Sequence, residues 1–339
     1  MTRVAIVAHF DSRGGAAPHF LRVLEQVNKV VDRTIVASSS DLTDDAIAAI
    51  AHRAELFRRP NYGHDFGSWR DALERLDWAS DADSLLLTND SYVGFFRPLT
   101  EIVTEMESRH VEFWGLTRTN RRGAHIQSYF SWFDRPVLRS RAFVNFWMDA
   151  LPAPDRMWAI VNQEVGMTNA LAKAGFQYDA YFEPSQAERA RANARGVYWL
   201  YRRQKAFPAL YDSLSEDHFS ARGAWRPSAA DDLNTSSAYA DVVFDRGRMP
   251  VVKLDVLRND PFWLGSDRLL AELERRRPDL MAGVRTYLSQ LSEDYPPRRH
   301  ENSSPARLGP LARALVGYSA RKGRLGGQLT RCNAKGHDR

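Results

Sequence analysis

The sequence predicts an α/β fold with a mostly parallel central sheet flanked by helices, followed by a helical C-terminal extension. Short apolar segments alternate with stretches of helical periodicity in the first half of the chain. Polar residues follow these apolar segments where buried strands would end. The chain has 339 residues, of which 44% are hydrophobic and 11% aromatic, so it is long and apolar enough to bury a full core.

The N-terminal elements follow this alternation in order. Strands are predicted at Val4–Val7, Thr34–Ala37, Ala54–Arg58 and Ser84–Leu87, with helices from Pro18 to Val31, after Asp41 or Thr43, and from Phe66. Right-handed crossovers between such strands give a parallel sheet, so the strands' carboxyl ends meet at one edge. Polar residues at these ends therefore face a common cleft: His9, Asp11, Ser38–Ser40, Asn61–Asp65 and Asn89–Ser91.

The second half of the chain continues the pattern and then weakens. Strands are predicted at Val111–Thr117, His125–Phe133, Phe176–Phe182 and the alternating segment Val251–Leu257. Helices are predicted from Leu99, from Ser140, and over Asn162–Ala174, Arg189–Ala206, Ser266–Arg275, Asp279–Leu291 and Leu308–Val316, with a loop at Arg118–Ala124 and loop and helix at Trp225–Ala240. We divide the chain into a core at 1–183, a mainly helical extension at 184–294 and a tail at 295–339.

Charge is unevenly distributed along the chain. The formal net charge is +5, yet residues 301–339 carry eight basic and two acidic side chains, so the remainder is close to neutral. A neutral body argues against nucleic acid as a partner. The basic tail indicates a solvated end or an attraction to anionic lipid headgroups. The single cysteine, Cys332, and the lack of a signal-peptide layout or an apolar run of about 20 residues favour a cytoplasmic protein.

The segment Ser84–Ser91, with the sequence SLLLTNDS, ends a predicted buried strand in polar residues. An acidic side chain at this edge of a sheet can hold a divalent cation, and the cation can hold a diphosphate. Asp90 is the candidate metal ligand, with Asn89 and Ser91 beside it. Alternatively, these residues turn the chain or cap the next helix.

The loop that contains Asn61, Tyr62, Gly63 and Asp65 precedes a predicted helix. One interpretation is local: Asp65 caps the helix and Gly63 adopts a positive φ. The other is a nucleotide-binding loop, in which Asp65 accepts a hydrogen bond from a base and Tyr62 stacks on it. Both interpretations remain open from the residues alone.

Four further residues are candidates for chemistry or for acceptor binding. Glu164 lies in the first turn of a predicted helix, where either the helix dipole or a role as general base accounts for it. His125 and Gln127 share one face of a predicted strand, and His125 is either structural, a metal ligand or an acceptor contact. Trp114 belongs in the core unless it is exposed to stack on a sugar. The sequence has no P-loop and no G-x-G-x-x-G fingerprint.

Taken together, the segments resemble the rhamnan synthesis F family of bacterial polysaccharide glycosyltransferases. The resemblance covers roughly Val4 to Pro261. It is carried by VAIVAHFD at Val4–Asp11, NYGHDFGSWRDAL at Asn61–Leu73, LLLTNDSYVGFFRPL at Leu85–Leu99, FWGLT at Phe113–Thr117, HIQSYFSWF at His125–Phe133, EVGMTNALAKAGF at Glu164–Phe176 and MPVVKLDVLRNDP at Met249–Pro261.

The family resembles GT-A glycosyltransferases, which implies a GT-A-like nucleotide-binding fold for residues 1–183. By that resemblance Asn89-Asp90-Ser91 stands at the metal-binding acidic triplet, although Asp90 is its one acidic member. The resemblance implies a divalent cation, Mg²⁺ or Mn²⁺, at Asp90. It also places Asp65 at the nucleotide and Glu164 at the catalytic base.

These implications give a specific expectation for function. The protein would transfer a deoxyhexose, L-rhamnose, with inversion from dTDP-rhamnose to a lipid-linked glycan, and the tail would bring it to the inner face of the cell membrane. The donor would be held by His9, Asp11, Asn61, Tyr62, Gly63, Asp65, Asn89 and Ser91, and the acceptor by Gln127 and Trp114, with Glu164 and His125 catalytic. The alternatives are a sugar-phosphate transferase, a retaining glycosyltransferase, or a non-catalytic glycan- or nucleotide-binding subunit of an assembly complex.

Overall fold

A computed structural model describes residues 2–76, 82–206, 233–295 and 310–319. Its central sheet has seven strands: β1 (Arg3–His9), β2 (Arg33–Ser38), β3 (Glu55–Arg58), β4 (Ser84–Asn89), β6 (Phe113–Gly115), β9 (Phe130–Asp134) and β10 (Tyr178–Ala180). Their order across the sheet is β3-β2-β1-β4-β9-β6-β10. All neighbours pair in parallel except β9, which runs antiparallel to β4 and β6. The predicted mixed α/β architecture with a mostly parallel central sheet is therefore confirmed.

Helices flank this sheet and dominate the C-terminal extension. In chain order they are α1 (Pro18–Val27), α2 (Asp44–Ala51), α3 (His64–Arg75), α4 (Leu99–Glu107), α5 (Arg135–Leu138), α6 (Arg141–Met148), α7 (Arg156–Trp158), α8 (Val165–Lys173), α9 (Gln186–Ala206), α10 (Thr235–Ala238), α11 (Leu254–Asn259), α12 (Ser266–Arg276), α13 (Pro278–Met281), α14 (Val284–Asp294) and α15 (Pro310–Leu315). A π-helical segment, Ala159–Glu164, joins α7 to α8, and a 3₁₀ segment covers Ala240–Phe244. None of the described helices combines the length and apolar character needed to cross a bilayer.

Apolar strands covered on both faces account for the sheet's position in the core. Val4–Ala8 of β1 is buried without interruption, as expected for a central parallel strand. Apolar clusters lie on both faces of the sheet, because alternate strand residues point to opposite sides. Trp69 of α3 donates an indole N–H to the Thr88 carbonyl at 2.9 Å, which ties α3 to the end of β4.

Two short strands form a separate sheet, and one of them is shorter than the strand predicted at Val251–Leu257. β5 (Tyr92–Gly94) pairs antiparallel with β11 (Val251–Lys253), so Lys253 lies opposite Tyr92. The predicted strand Val251–Leu257 is wrong beyond Lys253, where α11 begins. So short an alternation of apolar and polar residues is compatible with a strand or with a single helical turn. In the structure the segment is helical and buries Leu254, Val256 and Leu257.

Three other predicted elements are divided. The predicted strand His125–Phe133 separates into β8 (His125–Ile126), paired with β7 (Arg118–Thr119), and β9. The predicted loop at Arg118–Ala124 thus contains β7. The predicted helix Asp279–Leu291 is interrupted at Gly283, whose φ is +79° and where a Cβ would approach Pro18 to 2.9 Å.

A buried ion pair within the extension also holds the described part of the tail. Arg195 of α9 donates to both carboxylate oxygens of Asp241, at 2.8 and 2.7 Å, and to the Val316 carbonyl at 2.8 Å. This contact fastens the described part of the tail, where α15 confirms the predicted short helix in its central residues. The predicted element at Trp225–Ala240 lies partly outside the described residues, and so does most of the basic tail.

Candidate active site

The carboxyl edge of the central sheet forms one wall of a cavity of about 470 Å³. Strand register brings the ends together, because Ala8 pairs with Asn89 and His9 with Ser38. Eight of the predicted site residues line this cavity: His9, Asn61, Asp65, Asn89, Asp90, Ser91, Gln127 and Glu164. The expected convergence of strand ends on one cleft is therefore present in the structure.

Asn89, Asp90 and Ser91 make the floor of this cavity. The Asn89 side chain accepts hydrogen bonds from Ser91 N and Oγ, at 3.1 and 2.6 Å, so the turn interpretation holds for this residue. Its amide also donates to Asp65 Oδ2 at 2.7 Å, and Asp90 Oδ2 accepts from the Phe10 amide at 2.8 Å. Burial raises the pKa of Asp90 to about 7, and the nearby Asp65 charge adds to this rise.

These side chains do not form a resident site for a divalent cation. Asp90 and Asp65 each have one carboxylate oxygen taken by an N–H donor. Among the described residues, no group of three or more acidic, histidine or cysteine side chains converges to hold a metal. Mg²⁺ requires near-octahedral oxygen coordination, and one or two carboxylates complete it only together with water and the phosphates of a substrate. The described side chains alone therefore do not supply a full coordination shell for the cation predicted at Asp90.

The Asn61–Asp65 loop ends where α3 begins. Gly63 is the N-cap residue, with φ of +72°, as its positive-φ interpretation predicts. Asp65 does not cap the helix, because its side chain is engaged by Asn89 and faces the cavity. Burial raises the pKa of Asp65 against the opposing effect of the Asn89 hydrogen bond. Tyr62 is 43% exposed and lies on the Arg59 guanidinium at 4.2 Å, outside the cavity wall.

His9 and Asp11, which were predicted to hold the donor at the end of β1, have other partners in the structure. His9 lies against Phe20 and hydrogen-bonds Ser38 through Nδ1 at 3.0 Å. Burial lowers its pKa to about 4, so it is a neutral wall residue. The Asp11 carboxylate accepts from the backbone amides of Arg13 and Gly15, so it folds onto its own loop and does not line the cavity. The structure therefore does not bring Asp11 to the cavity with the other predicted nucleotide-binding residues.

Glu164 lies within a continuous helical segment and not at a helix start. The π-helical segment ends at Glu164 and α8 follows directly, so the predicted first-turn position is wrong. A side chain inside a helix gains little from the dipole of the helix end, which removes the dipole explanation. Glu164 Oε2 accepts from Ser128 N at 2.8 Å and from Ser128 Oγ, while Oε1 lies 3.1 Å from His125 Nε2.

The partners of His125 determine its protonation. Its Nδ1 lies 2.7 Å from the Gly123 carbonyl, which only accepts, and its Nε2 faces the Glu164 carboxylate. These partners favour the form in which both ring nitrogens carry a proton, an imidazolium facing a carboxylate. Burial opposes both charges, but the mutual hydrogen bond and attraction outweigh it, so the pKa of His125 is raised and that of Glu164 is lowered. Glu164 is thus ionised at neutral pH.

A second cavity, of about 680 Å³, meets the first one at Glu164. Arg156 and Gln127 also line both cavities. Gln127 is fixed by a hydrogen bond accepted from Thr117 Oγ1 at 2.8 Å. Aromatic rings line the far side of this second cavity: Trp199, Phe262 and Trp263.

Trp114 is not part of either cavity. It is 2% exposed and stacks on Trp132 with ring centroids 5.7 Å apart. The predicted acceptor contact of Trp114 is therefore wrong, because β6 points this ring into the core.

The basic residues of the first cavity were not among the site residues predicted from the sequence. Lys253 lines it, and its Nζ donates to Ser91 Oγ at 2.5 Å and lies 4.4 Å from the centre of the Tyr129 ring. Burial lowers the pKa of Lys253 to about 8, against the opposing charges of Asp65 and Glu164. Lys253 reaches Ser91 because β11 pairs with β5, and the resulting side-chain hydrogen bond joins residues 162 positions apart in the chain. A local sequence pattern does not indicate such a distant partner.

Comparison with known proteins identifies a family. Residues 34–202 match the family described as rhamnan synthesis protein F. The uncharacterised protein y4gN of Sinorhizobium fredii is 25% identical over 195 residues, which cover 56% of this chain and 51% of that protein. Virulence protein VirA of Vibrio anguillarum is 30% identical over 114 residues, or 32% of this chain and 36% of VirA.

The chain thus spans about half of y4gN and about a third of VirA. Among solved structures, A197 from STIV aligns with 53% of this chain and 81% of its own, at 10% identity and a TM-score of 0.31.

Proposed function

Because residues 34–202 of this chain belong to the rhamnan synthesis protein F family, we propose that the protein is a glycosyltransferase of bacterial polysaccharide synthesis. In this proposal it moves a deoxyhexose, L-rhamnose, from a nucleoside diphosphate donor such as dTDP-rhamnose to a growing cell-surface glycan. Transfer proceeds with inversion at the anomeric carbon. The mostly parallel sheet with a cavity at its carboxyl edge supports a GT-A-like use of the fold.

The position of Glu164 carries this proposal. Its carboxylate lines both cavities, so a group in one can react with a group in the other beside it. The donor occupies the 470 Å³ cavity, with Asp65 and Asn61 near the nucleoside. The acceptor sugar occupies the 680 Å³ cavity.

Glu164 acts as the general base. The acceptor hydroxyl gives its proton to Glu164, and the hydroxyl oxygen forms a bond to the anomeric carbon. The bond from that carbon to the diphosphate oxygen breaks, and its electron pair leaves with the nucleoside diphosphate. An ionised carboxylate has about four acceptor sites, and three are taken by His125 and Ser128, so one remains for the hydroxyl.

The second cavity has the surfaces that a sugar requires. Trp199 and Trp263 offer flat apolar rings, and Gln127 and Asn234 offer amide groups beside Glu164. Sugar rings present an apolar face of C–H groups and an edge of hydroxyls, which this combination matches. These residues take the acceptor role first expected of Trp114.

The acceptor is a lipid-linked glycan in this proposal, and the basic tail brings the protein to an anionic membrane surface. Sedimentation with vesicles that contain anionic lipid tests this role. Deletion of residues 301–339 should abolish co-sedimentation, and unchanged co-sedimentation would exclude the tail as the contact.

Turnover of nucleotide sugars tests the central proposal. The full chain is incubated with a panel of nucleotide sugars and a glycan acceptor, and NMR follows the release of nucleoside diphosphate and the anomeric configuration of the product. We expect turnover of one donor with inversion, which Glu164→Gln removes. Donor binding without turnover would contradict a catalytic role and favour a non-catalytic subunit.

A further inference from the structure

Three basic side chains line the donor cavity: Lys253, Arg258 and Arg156. Across the described ranges none of them forms an ion pair with a carboxylate, whereas Arg59 pairs with Asp71 at 2.7 Å at the neighbouring loop. Arg258 Nε is buried and has no hydrogen-bond partner. A buried N–H group without an acceptor is costly, and no described residue accepts a hydrogen bond from this Nε. An anion bound in the cavity would supply the missing acceptor.

Lys253 is held in a fixed position within this cavity. It is the last residue of β11, and its pairing with Tyr92 of β5 places it beside the Asn89–Ser91 floor. The Nζ atom uses one proton for Ser91 Oγ, and Ser91 in turn donates to Asn89 Oδ1 at 2.6 Å. An ammonium group has three donors, so up to two remain for a ligand.

The carboxylates of the cavity do not already neutralise Lys253. Asp65 and Glu164 act on it only at a distance, since neither forms an ion pair with it. Asp90 is tied to Phe10, and Asp65 to Asn89. Such carboxylates accept hydrogen bonds from sugar or base N–H and O–H groups, whereas a phosphate requires the cations.

We propose that Lys253, together with Arg258, binds the diphosphate of the donor directly and takes the place of a divalent cation. This inference rests on the proposed function and deepens it. Lys253 meets the negative charge that develops on the leaving diphosphate oxygen as its bond to the anomeric carbon breaks. Arg258 supplies the second charge. The Asp65 carboxylate serves the nucleoside, and the Asp90 carboxylate serves the transferred sugar, which dTDP lacks.

Calorimetric titration of the full chain with dTDP and UDP tests this inference without any need for turnover. Titrations are run in EDTA and again with Mg²⁺ or Mn²⁺. We expect binding in EDTA, with little change on addition of metal. Lys253→Met should weaken it about 10- to 100-fold, the loss expected for one or two hydrogen bonds to a charged group. Lys29→Met, an exposed lysine outside the cavities, is the matched control and should bind as the wild type does.

Two further variants separate this account from a metal site. Lys253→Arg should restore part of the binding, because it keeps the charge, and far-UV circular dichroism confirms that each variant folds. Asp90→Asn should bind dTDP in EDTA at least as tightly as the wild type, since it removes a negative charge from the cavity.

Each remaining outcome overturns a defined part of the account. Binding that requires Mg²⁺ or Mn²⁺ and disappears in Asp90→Asn would contradict the role of Lys253 while the donor proposal stands. Binding in EDTA that Lys253→Met leaves unchanged would likewise contradict it. A folded protein that binds no nucleoside diphosphate in either buffer would contradict the proposed function as well.

Discussion

Replacement of Glu164 by Gln should separate the chemistry of the His125–Glu164 pair from its packing. The amide oxygen of Gln can still accept from the Ser128 amide, and its amide nitrogen can donate to a neutral His125 Nε2. The shape of the site is therefore retained, but the base and its charge are lost. Loss of a general base lowers kcat by about 10²- to 10⁴-fold.

The same substitution should reverse the direction of the His125 pKa shift. In the wild type Glu164 holds this pKa above 6.5, the ordinary value for histidine, in spite of burial. Without the carboxylate, burial dominates and the pKa falls below that value. The lost charge-assisted hydrogen bond is worth about 1.5–3 kcal/mol of unfolding free energy.

The pH dependence of this loss follows from the two pKa shifts. The raised pKa of His125 contributes stability that is fully present below 6.5 and is lost as pH rises through the folded-state value. The lowered pKa of Glu164 contributes stability that is fully present above 4.5 and is lost as pH falls through the folded-state value. The wild type should therefore exceed Glu164→Gln in stability most between pH 4.5 and 6.5.

Urea denaturation at pH 5.5 and pH 8, with NMR titration of His125, measures both effects. The His125 resonance is assigned with His125→Asn. Ser128→Ala is the control, because it leaves the His125–Glu164 hydrogen bond in place and should keep the pKa raised. A His125 pKa that stays above its ordinary value in Glu164→Gln, or a stability difference that is independent of pH, would refute the ion-pair reasoning.

Three other predictions concern the core and the cavity walls. Arg195→Met should lower the unfolding free energy by about 3–5 kcal/mol in denaturant titrations, because it leaves the Asp241 partner buried and charged; an unchanged value would contradict this. Trp114→Ala should cost about 3–5 kcal/mol of stability, whereas Trp263→Ala should raise the acceptor KM with little change in stability; the opposite pattern would return the acceptor role to Trp114. Burial lowers the pKa values of His9 and His19 to about 4, so the unfolded state binds more protons than the folded state below pH 6.5. The free energy of unfolding should therefore fall as the pH is lowered from 6.5 toward 4. If substitution of both histidines by Gln left this pH dependence unchanged, the two histidines would not be its cause.

The sheet and its polar edge were predictable because they depend on local pattern. The runs VAIV and SLLL, each followed by polar residues, give β1, β4 and the edge where Asp90 lies, and helical spacing gives α1 and α4. Strands that are joined by right-handed crossovers run parallel, so their carboxyl ends lie at the same edge of the sheet. The pairing of β1 with β4 shows this arrangement.

The parts that escaped prediction depend on long-range pairing. The antiparallel placement of β9 between β4 and β6 determines which face of the segment containing His125 and Gln127 meets Glu164, and a strand pattern alone carries no information on its neighbours. Lys253 reaches the cavity through the β5–β11 pair, and one alternating turn of sequence cannot specify that partner. Trp114 illustrates a related limit, because both faces of β6 are buried and side-chain alternation does not show whether a ring faces a core cluster or a cavity.

A crystal structure of the full chain with bound dTDP in EDTA would show directly whether Lys253 and Arg258 hold the diphosphate. We expect density for the nucleotide in the 470 Å³ cavity, with the diphosphate in hydrogen-bond contact with Lys253 and Arg258 and its terminal phosphate directed toward Glu164. Nucleotide bound elsewhere on the molecule, or in this cavity with its diphosphate turned away from both Lys253 and Glu164, would contradict it.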